Sequence, residues 1–357
     1  MRFILTFVAA LLGLLVPPGG TAFAAAPCPS LEGKTIRFVV PHSVGGGYDS
    51  YSRLIAPFYE DALHASIRVE NIDGAGGIVG ASTIRDAAPD GRTIGILNGP
   101  GLMMASLAGQ EKVPNPATDY AILARVARSQ HVWTTGRDSA LQAMTDVREL
   151  VETRPLVFAT RDVASISFFS LILGANLLDL PVEAVAGYPG STEEVLALLR
   201  GEVDIMSVNF YSAIGEIEAG DLRPLLQIAE APIADHPALE GVPLLGGGNG
   251  LAARWTADTG GDTAGAAADA AALTTLAGAG RLIVAPMGME EELRQCMENT
   301  LLAVLRDPGF VSAADKSRLA LDVAPGGEAM KALRRGVEKS EAFAGIIGRA
   351  IEKLRER

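Results

Sequence analysis

Three strand, glycine-loop and helix units follow one another between residues 35 and 101, and they constrain the fold more than any other feature. The predicted strands are Thr35–Val40, Ser66–Asn71 and Thr93–Leu97. The loops that follow are Gly45-Gly46-Gly47, "DGAGG" ending at Gly77, and "NGPG", residues 98–101. Such a β-α-β-α-β series forms a parallel sheet, with its loops gathered at the carboxyl ends of the strands. The sequence therefore predicts an α/β fold with ligand loops along one sheet edge.

A second series of the same kind follows. Its predicted strands are Leu156–Thr160, Val182–Gly187, Asp204–Val208 and Leu222–Ala229. Ala121–Trp133 is predicted as a crossover between the series, and Arg281–Ala285 as a return strand. This order predicts a hinged two-lobe binding protein. Lobe 1 is expected at residues 29–128 and 238–357, and lobe 2 at 129–237.

Local signals predict several details. Asp49 is expected to cap the first helix, and Pro57 to kink or end it. Ser191 is expected to cap a helix, with Glu194 closing a capping box, and Pro224 indicates an edge strand. The Ala- and Gly-rich stretch 257–280 is predicted as a helix or a mobile insertion, with the helix favoured. Further helices are predicted at Met289–Arg306, Val311–Leu319 and Glu328–Arg357.

The N-terminus has the pattern of a secretory signal peptide at residues 1–26. A short basic start precedes an apolar stretch, two prolines and small residues that suit cleavage. No later segment is long and apolar enough to span a bilayer, so we expect a protein outside the cytoplasm. An oxidising compartment permits a disulfide between Cys28 and Cys296, although two unpaired thiols fit equally well.

The formal net charge of −12 argues against a nucleic-acid partner and requires any anionic ligand to be bound locally. The glycine loops lack the third glycine of a dinucleotide fingerprint and the lysine of a phosphate loop. No Gly-x-Ser-x-Gly elbow and no metal-like histidine spacing is present, so we expect no catalytic residues, metal or cofactor. Glycines before a helix expose backbone N–H groups that can hold a carboxylate.

The motifs resemble the tripartite tricarboxylate transporter substrate-binding proteins, also called the Bug family. The resemblance rests on "VVPHSVGGGYDSYSRL", "IDGAGGIVG", "APDGRTIG", "GYPGSTEEVLALLRGEVDIM" and "RLIVAP". It implies a Venus-flytrap fold of the type II-like periplasmic-binding-protein class, with two lobes around a central cleft. It also implies a periplasmic, monomeric receptor that delivers a small carboxylate to one large and one small membrane subunit. A sensory module for a membrane kinase, or an exported enzyme on the same scaffold, remains an alternative.

The expected ligand-binding residues lie in the loops that match the family. In lobe 1 they are His42, Ser43, Gly45, Gly46, Gly47, Tyr48, Asp49, Gly76, Gly77 and Asn98. In lobe 2 they are Arg161, Ser165, Tyr188, Ser191 and Asn209.

The loop glycines are expected to hold a carboxylate through their N–H groups, with no arginine required, and Asp49 to fix the loop. Arg161 is either the one cation of the site or a solvated loop residue. Ser165 and Ser191 are either donors to the ligand or helix caps. Tyr188 either packs on the ligand or covers the hinge. The identity of the acid is left open.

Overall fold

The structure is a computed structural model that describes residues 28–110, 112–163, 165–338 and 341–355. The signal peptide predicted at residues 1–26 lies outside the described residues. Within these ranges, none of the helices combines the length and the apolar character that a membrane span requires.

The described strands and helices alternate along most of the chain. The strands are β1 (Thr35–Val40), β2 (Ser66–Asn71), β3 (Thr93–Asn98), β4 (Tyr120–Ala127), β5 (His131–Gly136), β6 (Leu156–Thr160), β7 (Val182–Ala186), β8 (Ile205–Asn209), β9 (Leu222–Ile228), β10 (Arg281–Pro286) and β11 (Ala324–Pro325). The helices are α1 (Gly47–Leu63), α2 (Ile78–Arg85), α3 (Gly99–Leu107), α4 (Met144–Leu150), α5 (Ile166–Leu177), α6 (Ser191–Leu199), α7 (Ile214–Glu218), α8 (Leu251–Asp258), α9 (Thr263–Ala277), α10 (Glu291–Arg306), α11 (Pro308–Lys316), α12 (Gly326–Glu338) and α13 (Glu341–Arg355).

The strands form two separate sheets. The first has the order β11-β4-β10-β3-β1-β2, and the second has the order β7-β6-β8-β5-β9. β1 is parallel to both β2 and β3, as the three-unit pattern predicts, whereas β10 runs antiparallel to β3 and β4. In the second sheet, β6 is parallel to β7 and β8, and β5 is antiparallel to β8 and β9. β9 lies at the edge, which confirms the edge position predicted from Pro224.

The predicted crossover Ala121–Trp133 does pass from the first sheet to the second, and it is made of two strands. β4 belongs to the first sheet and β5 to the second, and only residues 128–130 connect them. Both strands are buried along their whole length, so the apolar run is explained by two core strands placed end to end. The chain later leaves β9 and reaches β10 of the first sheet through α8 and α9.

Helix α1 continues through Pro57, so the helix does not end there, and the alternative prediction of a kink stays a prediction. Proline removes one backbone hydrogen bond, but the buried face of α1, which includes Ile55, Tyr59 and Leu63, packs on the first sheet and α10. The stretch 257–280 contains helix α9, as favoured. The single helix predicted at Glu328–Arg357 is instead described as α12 and α13.

The two sheets share a hydrophobic core, to which residues of α3, α5, α9 and α13 contribute. α12 packs on β4 and α9, while α9 and α13 both contact α5 of the second sheet. A second core lies between the first sheet and helices α1, α10 and α11. The predicted division into lobes at residues 128/129 and 237/238 stays a prediction.

A disulfide joins Cys28 and Cys296, which are 268 residues apart in sequence. It links the segment before β1 to the middle of α10, and Cys28 is almost fully buried.

Candidate functional site

The loops that follow β1 and β2 of the first sheet lie close to the loops that follow β6 and β8 of the second sheet. We call this region, together with the start of β10, the interlobe cleft. Gly47 of the first sheet's loop lies against Ser212, which follows β8. A Cβ atom on Gly47 would lie 3.1 Å from the Ser212 Oγ and 3.2 Å from the Arg281 Nη2. The glycine therefore allows backbone to approach a guanidinium, because any side chain would occupy that space.

Arg281 is the principal cation of this cleft. It opens β10, where it pairs with Asn98 of β3, and only 5% of it is exposed. Its guanidinium lies 5.1 Å from the ring centroid of Tyr48 and 5.0 Å from that of Tyr51. The Nη2 donates a hydrogen bond of 3.3 Å to the Ser212 Oγ, whereas the buried Nε has no acceptor.

Arg281 takes part in none of the salt bridges found among the described residues, for which the N···O distance is at most 4.0 Å. Burial of a charge without a partner costs several kcal/mol, about as much as removal of one partner from a buried ion pair. Two aromatic faces and one hydroxyl recover part of this cost. The arginine is thus arranged to receive an anion from outside the chain, and its fork geometry suits a carboxylate.

The glycine loop leaves fewer free N–H groups than the sequence predicts. Gly45 adopts a φ of +85° and donates its N–H to the Asp49 Oδ2 at 2.9 Å. Gly46 is the N-cap of α1, so Gly47 and Tyr48 begin the helix without acceptors in their own helix. Gly47 at the start of α1, and not Gly45, therefore lies against Arg281 and Ser212.

Asp49 fixes this loop, although it is not the predicted N-cap. It lies inside the first turn of α1 and accepts hydrogen bonds from Gly45, Arg53 and the Asn71 Nδ2, the last at 3.0 Å. Burial alone raises the pKa of Asp49, but these hydrogen bonds outweigh burial and hold the pKa below its ordinary value. Asp49 therefore stays ionised and is fully used within lobe 1.

His42 contributes a neutral ring to the cleft. It is 5% exposed and lies against the Tyr48 ring, with the ring centroids 4.3 Å apart. Burial, together with the positive charges of Arg161 and Arg281, lowers the pKa of His42 to about 3. The imidazole is therefore uncharged at ordinary pH and can offer one donor and one acceptor.

The second sheet supplies another unpaired donor. Asn209 ends β8, and its Oδ1 accepts hydrogen bonds from the N–H and the hydroxyl of Ser212. Its Nδ2 is buried without an acceptor. Opposite Asn209 on β5, His131 is held by a 3.2 Å contact between its Nδ1 and the Ser207 Oγ, and burial lowers its pKa to about 3. Buried donors without acceptors thus come from both sheets.

Arg161 and Asp162 follow β6 and approach the second glycine loop. A Cβ atom on Gly76 would collide with the Asp162 carboxylate, and Gly76 has a φ of +67°. Gly77, with a φ of +94°, packs against Pro41 and His42. Close contact with Asp162, which follows β6, therefore explains the glycine at position 76 as well as ligand binding does.

Glu194 lies beneath the Arg161 loop and is 4% exposed. Burial raises the pKa of Glu194 to about 7, against the opposing effects of the Arg161 charge and of the hydrogen bond from the Arg161 backbone N–H. The predicted capping box is wrong, because Gly190 and not Ser191 is the N-cap, without a side-chain bond. Ser191 is exposed at the first position of α6.

The remaining predicted residues have structural roles in this conformation. The Ser165 Oγ accepts from the Phe168 N–H at 3.1 Å and donates to the Asp162 carbonyl, so it caps α5. Asn98 caps α3 through Gly101. Tyr188 packs against the second-sheet core. Ser43 is partly exposed in the first loop. Whether any of these residues contacts the ligand stays a prediction.

Sequence reasoning missed Arg281, Ser212 and His131. Arg281 and His131 are each the first residue of a buried strand. The sequence placed Arg281 in the return strand and His131 in the crossover Ala121–Trp133, and it gave neither residue a role in the site. The available signal was a charged residue opening the apolar run Arg281–Pro286 directly after the glycines 278 and 280. Among the described residues, no group of three or more His, Cys, Asp or Glu side chains could hold a metal ion.

Several known proteins are similar to this chain. BugT of Bordetella pertussis is 25% identical over 261 residues, which cover 71% of this chain and 78% of BugT. The UPF0065 protein in the tcbD-tcbE intergenic region of a Pseudomonas species is 28% identical over 225 residues. That match covers 61% of this chain and 64% of the relative, which is less than two thirds of the relative's length.

Solved structures show the same fold. MatC of Rhodopseudomonas palustris with bound malate has a TM-score of 0.67 at 20% identity, covering 88% of this chain and 99% of MatC. An R. palustris protein with adipate has a TM-score of 0.68 at 20% identity, covering 88% and 97%. The periplasmic binding protein BugD has a TM-score of 0.67 at 19% identity, covering 89% and 97%. The two-lobe periplasmic-binding-protein fold is therefore confirmed.

The family model described as "Tripartite tricarboxylate transporter family receptor", TctC, matches residues 52–267. This range includes the second glycine loop and the whole second sheet. It also includes the connection 128–130 between the sheets and most of the later connection, from β9 into α9. The chain therefore belongs to the TctC family of tripartite tricarboxylate transporter receptors.

Proposed function

We propose that this chain is a periplasmic receptor that closes on a small organic acid and delivers it to a tripartite tricarboxylate-type membrane transporter. The observation that supports this proposal most strongly is the buried guanidinium of Arg281, which forms none of the salt bridges found among the described residues. A ligand carboxylate supplies the missing charge. The Gly47 and Tyr48 N–H groups at the start of α1 add hydrogen bonds to the same anion.

The ligand oxygen bridges the two sheets. Arg281 and Gly47 approach it from the first sheet, and the Asn209 Nδ2 and the Ser212 hydroxyl approach it from the second. An anion held from both sides favours the closed arrangement over an open one, because only the closed arrangement makes all these contacts. The neutral His42 and the half-buried Arg161 border the space for the rest of the ligand.

Relatives support the choice of an organic acid. One similar structure contains malate and another contains adipate. Both compounds carry carboxylates that suit Arg281. We extend this class of ligand to the present chain, together with secretion by removal of residues 1–26.

A thermal-shift screen tests the proposal. Malate, adipate, citrate, aromatic acids and acidic amino acids are compared with a neutral sugar and a cationic amino acid at constant ionic strength. A ligand at one hundred times its Kd is expected to stabilise the protein by about 2.7 kcal/mol. The proposal is abandoned if the acids give no shift while the sugar or the cationic amino acid does.

Delivery needs a separate measurement. Cells that contain the two membrane subunits are expected to take up a labelled acid from the screen only when the receptor is also present. Uptake that is equal with and without the receptor contradicts the delivery role but leaves acid binding intact. Mass spectrometry of the exported protein is expected to show an N-terminus within residues 25–27.

A further inference from the structure

A second cavity lies where the two sheets are connected, and it shares no lining residue with the interlobe cleft. This junction cavity has a volume of about 530 Å³. Its walls are the connection 128–130, the segment 228–233 that follows β9, the end of α9 at residues 274–278, and one face of α12. The volume is in the ordinary range for small-molecule sites.

Basic side chains dominate the charge of the junction cavity. Four basic residues line it, Arg125, Arg128, Lys331 and Arg335, against two acidic residues, Glu230 and Glu328. The Asp322 carboxylate pairs with both Arg125 and Arg128 and so offsets only one of those two charges. A local positive excess remains in a chain whose formal net charge is −12.

Two of the cations are available for an external partner. Lys331 and Arg335 take part in none of the salt bridges found among residues 28–335 whose side chains the structure describes. They stand four residues apart on α12, so they lie on one face with about 5–6 Å between their Cβ atoms. This spacing suits an anion with two charged centres, and Arg128 approaches from the connection 128–130.

We propose that the junction cavity binds a small, multiply charged oxyanion of the phosphate class. Guanidinium and ammonium groups recognise phosphate oxygens through charge-assisted hydrogen bonds. The volume accepts inorganic pyrophosphate or a small phosphate ester.

The position of the cavity links such an anion to the junction between the sheets. The Gln130 Nε2 already donates to the Ile233 carbonyl at 3.2 Å, so it ties the connection 128–130 to the segment after β9. An anion between Arg128 and α12 reinforces this arrangement. Because the anion binds one arrangement of the junction, it stabilises that arrangement by mass action.

Calorimetric titration with inorganic pyrophosphate and with glycerol 3-phosphate, at constant ionic strength, tests the proposal. The wild type is expected to bind at least one of these two compounds saturably, with one site per chain. Tighter binding of pyrophosphate indicates an inorganic phosphate as the ligand, and tighter binding of glycerol 3-phosphate indicates an organic phosphate ester. The double variant K331Q/R335Q is expected to bind about tenfold or more weakly. The double variant R306Q/K316Q, which removes the same charges from exposed positions outside the cavity, is the matched control and is expected to bind as the wild type does.

A variant of the cleft separates this inference from the proposed function. R281M is expected to bind the phosphate probe as the wild type does, even where it has lost the organic acid. Hydrogen exchange of the backbone at residues 128–130 and 229–233 is expected to slow when the probe is bound. Absence of saturable binding by the wild type, unchanged binding by K331Q/R335Q, loss of binding in R281M, or slowed exchange only in the cleft loops each overturns the proposal.

Discussion

Substitution of Arg281 by methionine separates the ligand-binding role of this residue from a structural one. Methionine keeps an unbranched apolar stem of similar length to that of arginine but lacks the guanidinium and its charge. In the ligand-free wild type, the contacts found for the 5%-exposed guanidinium among the described residues are two tyrosine faces and one serine hydroxyl. These contacts contribute about 1–3 kcal/mol each at most, against a desolvation cost of several kcal/mol.

We therefore expect the ligand-free R281M protein to be at least as stable as the wild type. A gain of about 1 kcal/mol corresponds to a rise in Tm of about 2 °C for a chain of this size. Affinity for the organic acid is expected to fall sharply, because removal of one partner of a buried charge pair costs about 2–5 kcal/mol. That loss corresponds to a factor between about thirty and a few thousand in Kd.

The assay combines scanning calorimetry without ligand and titration with the acid that stabilises the wild type best in the screen. R223M is the matched control, because Arg223 on β9 also has a buried nitrogen without an acceptor but does not border the cleft. R223M is expected to keep the wild-type Kd. The reasoning is refuted if R281M is clearly less stable than the wild type and still binds the acid with unchanged affinity.

Three further predictions concern other parts of the molecule. Gly76→Ala places a Cβ against Asp162 at a positive φ, so titration should show acid affinity reduced about tenfold, and an unchanged Kd would contradict close contact there. Loss of the disulfide in C28S/C296S should lower the unfolding free energy by about 2–5 kcal/mol in denaturant titrations. An unchanged denaturant concentration at the unfolding midpoint would contradict this prediction. The folded-state pKa of Glu194 is raised from 4.5 to about 7, so its contribution to stability is complete below about pH 4.5 and is lost as the pH rises through 7. E194Q should therefore become more stable relative to the wild type by up to about 3 kcal/mol between pH 4.5 and 8, and parallel stability curves would contradict this.

Many of the elements could be predicted from local patterns. The strand Thr35–Val40 and the glycines after it are recognisable because an apolar run and a glycine loop each have a local signature. The errors concern places where tertiary packing outweighs a local rule. Pro57 stays within α1 because the buried helix face is held by the sheet and α10, and Ser191 is not a cap because Gly190 already takes that position.

The site was predicted in part for the same reason. The first loop, His42 and Asn209 were identified by their positions after strands, and whether they contact the ligand stays a prediction. The structure shows that Gly47 lies near Ser212 and Arg281, and that Asn209 binds Ser212. Gly45 was expected to hold the ligand, but its N–H is used by Asp49, four residues later. No local pattern reveals which N–H groups a folded loop consumes internally, because that depends on side-chain orientation.

The sequence by itself determined the alternation of strands and helices, the glycine loops and the family, because each of these depends on residues that are near in the chain. Only the tertiary structure decided where the charge of the site lies. Arg281 is far in sequence from Gly47 and Ser212, and the antiparallel insertion of β10 between β3 and β4 brings the three together. Whether an arginine is solvated, paired or buried without a partner is a property of its three-dimensional surroundings. In this protein those surroundings give the cleft a buried cation that forms no salt bridge found among the described residues.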